Sequence, residues 1–148
     1  MRRIRIGVID GTGGGLGRAI VEAVNTLPAE RFSLYALGTN AQATRVMRAA
    51  GAADGATGEN AICYMAGKMD IIIGPMAILV CNAMMGEITP AMAAAVSSSD
   101  AQKLLLPLAR CGIRVVGAEN VAIKELLARL PADLKAMMDD IESGEDHF

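Results

Sequence analysis

Ile4-Arg5-Ile6-Gly7-Val8-Ile9-Asp10-Gly11-Thr12-Gly13-Gly14-Gly15-Leu16-Gly17 is the stretch on which the fold turns. Its apolar run, Ile4 to Ile9, suits a parallel strand covered on both faces. A glycine cluster follows. Leu16, Ile20, Val24 and Leu27 then recur at helical spacing, and Pro28 ends the helix. Phe32 to Leu37 reads as a second strand. Thr39 or Asn40 can cap a helix through Arg48, with Gly51 as its stop. The order β-α-β-α with short loops places both strands in one parallel sheet.

Outward from this unit, Ala52 to Gly58 has room for a short third strand, and Glu59 to Gly67 for a short helix. Asp70-Ile71-Ile72-Ile73-Gly74-Pro75 is a buried strand ending in a break. Met76 to Met85 reads as helical, and Thr89-Pro90 starts a further helix through about Val96. Lys103 to Leu106 and Ile113 to Val116 read as strands. The linker between them is too short for a parallel crossover, which predicts an antiparallel pair turning at Arg110, Cys111 and Gly112. Asn120 to Leu130 and Ala132 to Ile141 read as helices broken by Pro131. The expectation is a Rossmann-like three-layer α/β sandwich. Its sheet is mostly parallel with a C-terminal antiparallel pair and C-terminal helices, in one domain over residues 1–142 with a flexible tail at 143–148.

The chain has 148 residues, 53% apolar and 20% charged, enough for a real core and unlike a disordered chain. A formal net charge of −2 argues against nucleic-acid binding. Cys63, Cys81 and Cys111 are widely spaced and the single histidine is His147, so no metal site is expected and the thiols read as reduced and largely buried. No signal peptide fits, which suggests a cytoplasmic protein. The uncharged stretch Ile71 to Gly86 is too short and too interrupted for a membrane span.

A glycine-rich turn between a strand and a helix is a phosphate-binding candidate. Backbone N–H groups can approach an anion, and the helix N-terminus adds unpaired donors and a partial positive charge. Asp10, Gly11, Thr12, Gly13, Gly14, Gly15 and Leu16 are the residues in question. The spacing is G-x-G-x-x-x-G, which resembles the turns of some NADP-dependent reductases, and no Walker-type lysine follows. The competing reading is a tight connection with no ligand. Asp10 would repel a pyrophosphate if aimed at one; it can instead meet a metal–phosphate complex, a ribose hydroxyl or the turn's own N–H groups. The second strand ends in Leu37-Gly38-Thr39-Asn40, without the acid that holds the adenosine ribose of NAD. Thr39, Asn40 and Arg45 can accept a 2′-phosphate, which favours NADP over NAD; capping and a surface arginine are the alternative.

Elsewhere, Thr57 to Asn60 is either a helix cap, with Thr57 capping, or a loop bringing Glu59 or Asn60 to the cleft. Gly74 and Pro75 fall at the switch-point crevice of a doubly wound sheet. Glu87 is either an acid or base or a charge favouring the next helix. Asp10, Glu59 and Glu87 are the candidate catalytic groups. Methionines concentrate between Met65 and Met92, in the core or at a homo-oligomer surface.

Ile9-Asp10-Gly11 with its glycine run, Leu37 to Ala41, Gly55 to Ala61, Ile73-Gly74-Pro75 and Gly86 to Pro90 together resemble a family of small bacterial proteins, mainly of anaerobic Firmicutes, defined only as a domain of unknown function. The resemblance runs to about Gly117. It implies a small cytoplasmic domain and carries over no activity or site residue. Three functions compete: a nucleotide- or dinucleotide-binding protein, a non-catalytic sensor or assembly subunit, and a phosphoryl- or sugar-phosphate-processing enzyme.

Overall fold

Alternate side chains of β1, Ile4–Asp10, are buried on opposite sides of a sheet. Ile4, Ile6 and Val8 join one apolar cluster and Ile9 joins another. β1 therefore lies in the middle, and its continuous apolar run is what a strand covered on both faces requires. The computed structural model describes residues 2–108 and 112–145. β1 pairs in parallel with β2, Phe32–Gly38, in a register running from Ile4 opposite Phe32 to Asp10 opposite Gly38. On its other side it pairs in parallel with β4, Ile71–Pro75. β3, Asp54–Thr57, adds to β2 at one edge and β5, Gln102–Leu106, to β4 at the other. The order is β3-β2-β1-β4-β5, all parallel.

Helices cover both faces. α1, Gly15–Val24, α2, Ala41–Ala49, and α5, Ile123–Ser143, bury Ile20, Met47 and Leu134 against one side. α3, Glu59–Ala66, and α4, Pro90–Ser98, bury Ile62 and Met92 against the other. The chain leaves β1 toward one face and β4 toward the opposite one. That divergence opens a crevice between neighbouring strands at their C-terminal ends.

Four expectations are corrected. The antiparallel pair is not formed. β5 is parallel to β4, from Ile71 opposite Gln102 to Pro75 opposite Leu106, and residues 112–116 form no strand. Val116 is 98% exposed; a β-prone sequence with no surface to pack on gains nothing from pairing. Arg110 and Cys111 of the expected turn lie outside the described residues. Pro131 does not break the C-terminal helix. Leu126, Leu127, Leu130, Leu134, Met138 and Ile141 pack on one core from both sides of the proline, and this shared burial outweighs one lost backbone bond. Met76 to Met85 is not an α-helix. A 3-10 turn at Met76–Leu79 leads into a loop with left-handed residues at Asn82, Met84, Met85 and Gly86. The Asn82 N–H turns back to the Ile88 carbonyl (2.7 Å) and the Ile88 N–H to Ala83, which closes the loop over buried Ala83 and Ile88. Finally, Cys81 is exposed and Cys63 partly so, rather than buried; both are free thiols, and Cys111 lies outside the described residues.

The expected caps at Asn40 and Thr89 are formed, accepting from the N–H groups of Ala43 and Met92. Of the tail, Ser143 ends α5, Gly144 caps it in the left-handed region, and 146–148 lie outside the described residues.

Leu134 is fully buried where α5 meets the sheet, so Leu134→Ala should cost about 2–5 kcal/mol in urea denaturation. A loss below about 1 kcal/mol would mean that α5 is not docked there.

Candidate functional site

The turn between β1 and α1 contains two kinds of glycine. A Cβ on Gly11 would come within 2.6 Å of the Thr39 hydroxyl, on Gly14 within 2.8 Å of the Ala43 Cα, and on Gly17 within 2.5 Å of the Met47 sulfur. Gly14 also has φ +78°, and its N–H closes the turn on the Gly11 carbonyl (3.0 Å). Packing thus demands these three. A Cβ on Gly13 or Gly15 would meet nothing within 4 Å, and neither has positive φ. Nothing in the fold requires glycine there. The amides of Gly13, Gly15 and Leu16 have no acceptor among the described residues, as is usual for the first N–H groups of a helix.

Two carboxylates flank the turn. Asp10, at the end of β1, is buried and its Oδ2 accepts from the Gly17 N–H at 2.6 Å. That bond is to one of the turn's own amides, and Asp10 also lines the cleft beside the turn. Burial raises its pKa above the ordinary aspartate value; the bonds from Gly17 and Gly11 oppose the rise, and the nearby charge of Glu87 adds to it.

Glu87 reaches the turn from the connection between β4 and α4. Its Oε1 accepts from the Thr39 hydroxyl (2.6 Å), the Asn40 side-chain amide (2.8 Å) and the Thr12 N–H (3.1 Å). Asn40 also donates to the Thr12 carbonyl (2.9 Å) while its oxygen caps α2. The Thr39 bond foremost holds the Glu87 pKa below its ordinary value; burial, the next largest effect, opposes it, and the bonds from Asn40 and Thr12 add to the lowering. One oxygen thus joins the loops that follow β1, β2 and β4.

Between the turn and the 82–87 loop lies a cleft of about 690 Å³ at the crevice beyond β1 and β4. Asp10, Thr12, Pro75, Asn82 and Glu87 line it together with apolar Leu16, Ala77, Met84, Met85, Leu108 and Ile123. This size is in the range of small-molecule and cofactor sites. Among the described residues that line it there is no lysine, arginine or histidine.

The sequence candidates divide accordingly. Asp10, Thr12, Leu16, Pro75 and Glu87 come together in the cleft, and Thr39 and Asn40 stand behind Glu87. Gly74 is required by strand packing, since a Cβ there would lie 2.6 Å from the Ile9 carbonyl oxygen. Arg45 lines a different, open groove with Arg48 and Thr57. Glu59 is exposed in the first turn of α3, away from the cleft lining. Thr57 does not cap α3: Gly58 holds that position, and the Thr57 hydroxyl donates to Thr44. Asn82, Met84, Met85, Leu108 and Ile123 were invisible as site residues, because only the return of the 82–87 loop and the path to α5 bring them to β1.

Over residues 5–139 the sequence matches the model of a family described as a domain of unknown function, DUF3842. The chain belongs to that family. No curated protein matches it. Among the described residues no helix is long and apolar enough to cross a membrane.

Two measurements check this geometry. Gly17→Ala should lower stability by about 1–3 kcal/mol through overpacking, whereas Gly13→Ala and Gly15→Ala should stay within about 0.5 kcal/mol of the native protein or exceed it. Because the folded-state pKa of Asp10 is raised, its contribution is greatest when it is protonated and is lost as pH rises through that pKa. Asp10→Asn keeps an acceptor for Gly17 without a buried charge. Its melting temperature should exceed the native one near neutral pH, and the gap should close as pH falls into the range of ordinary carboxylates. A gap that widens on acidification would contradict the raised pKa.

Proposed function

We propose that this protein is a cytoplasmic binding protein for a phosphate-bearing ligand of the nucleotide or dinucleotide type. The phosphate sits on the amides of Gly13, Gly15 and Leu16, and the organic part lies along Leu16, Pro75, Met84 and Ile123. The observation that carries this reading is the contrast among the glycines. Three are explained by packing, while Gly13 and Gly15 face open space beside unpaired amides at the start of α1. Absence of a side chain at those two positions serves the close approach of a ligand. The strand order and the switch-point cleft support the same conclusion.

Within this class, the reason for favouring NADP weakens. Arg45 stands in another groove, and Thr39 and Asn40 serve Glu87. For the phosphoryl- or sugar-phosphate-processing alternative, Glu59 is not among the cleft-lining residues and Asp10 is tied to Gly17, which leaves Glu87 as its cleft-lining carboxylate without such a backbone tie to α1. A sensor or homo-oligomeric subunit is a second reading, favoured by exposed Met85 on the cleft wall and by exposed Val116.

Thermal-shift measurements with ADP, NAD and NADP test the proposal. Ligand at about 100 times Kd should stabilise the protein by about 2.7 kcal/mol. Gly13→Asp and Gly15→Asp should fold yet lose the shift. The proposal is wrong if no phosphate compound stabilises the native protein, or if these variants respond as it does.

A further inference from the structure

We infer that Glu87 is the specificity-determining residue of the cleft, and that it selects a phosphate ester carrying free vicinal hydroxyls over one whose hydroxyl is phosphorylated. The inference rests on the phosphate-binding reading above and adds the chemistry of the rest of the ligand.

All the hydrogen bonds to Glu87, from Thr12, Thr39 and Asn40, converge on Oε1. Oε2 has no partner among the described residues and is not a buried orphan. One oxygen is fixed by the protein, and the other is an oriented acceptor in a cleft-lining residue. The carboxylate is kept ionised by its donors, so it offers acceptors only.

Its location gives the ligand group. Thr39 and Asn40 follow β2 directly, and Thr12 follows the first glycine of the turn. In doubly wound sheets that bind NAD, an acid at the end of β2 accepts from the ribose hydroxyls while the glycine-rich turn faces the pyrophosphate. Here β2 ends without an acid in the sequence, and the 82–87 loop supplies one through space. A 2′-phosphate at this point would face the charge of Glu87, and no cation among the described cleft-lining residues balances it. The sequence alone favours NADP; the position of Glu87 favours the opposite choice.

The vicinal hydroxyls can belong to a nucleotide ribose or to a free sugar phosphate. Titration calorimetry on the full chain with NAD, NADP, ribose 5-phosphate and inorganic phosphate separates these sources. The native protein should bind NAD, or ribose 5-phosphate if the ligand is a sugar phosphate, at least about tenfold more tightly than NADP or inorganic phosphate. Glu87→Gln retains an oxygen for Thr12, Thr39 and Asn40 but puts an amide donor where Oε2 was. It should lose most of that preference and gain affinity for NADP. The inference fails, with the phosphate site intact, if NADP or inorganic phosphate binds the native protein as tightly as the diol ligands, or if Glu87→Gln leaves the ratio unchanged. If none of the probes binds, both readings fail. Should Glu87→Gln not fold, the native NAD-to-NADP ratio decides alone.

Discussion

The Oε1 atom of Glu87 accepts from Thr12, Thr39 and Asn40, and through them ties together three chain segments far apart in sequence. Each of those segments leaves the C-terminal end of a neighbouring parallel strand. Such ends expose backbone donors and acceptors that no strand pairing can satisfy, and a charged acceptor is an efficient way to collect donors at one point. Hydrogen bonds to charged groups contribute about 1.5–3 kcal/mol each, against about 1 kcal/mol for neutral ones. The same carboxylate fixes the wall of the cleft opposite the glycine-rich turn.

Holding Glu87 there shapes its own loop. Asn82, Met84 and Met85 take left-handed backbone conformations, which cost non-glycine residues roughly 1–2 kcal/mol each. The loop offsets this by burying Ala83 and Ile88 and by returning the Asn82 and Ile88 amides onto itself. Strain of this kind, next to a cleft and compensated nearby, accompanies sites whose geometry matters more than local stability. Asp10 shows the same pattern on the opposite side: its charge is buried against its preference so that the first turn of α1 is held by the strand that precedes it.

Much of the fold was legible because it follows from local rules. The apolar run of β1, the helical spacing of α1, the Asn40 and Thr89 caps and the triple isoleucine of β4 each declare themselves within a few residues. What was not legible depended on partners supplied from elsewhere. Ile113 to Val116 has strand-forming residues, yet Ile113 and Val116 stay exposed and pair with no strand among the described residues, and Pro131 is overridden by a core on both sides of it. The glycine-rich turn was readable as a unit, yet its division into packing glycines and open ones needed the positions of Ala43, Met47 and Thr39. Glu87 was visible as a charge near a helix start. Its landing on residues 12, 39 and 40 is a consequence of β4 lying beside β1, which no spacing within the loop encodes.

The proposal that the amides of Gly13, Gly15 and Leu16 seat the anion is tested most directly by following backbone amide resonances during a titration with ADP. Saturable shifts are expected, largest at those residues, with Glu87 and its loop responding next. Saturable shifts confined to another surface, such as the Arg45 groove, or no shift at the turn, would contradict it.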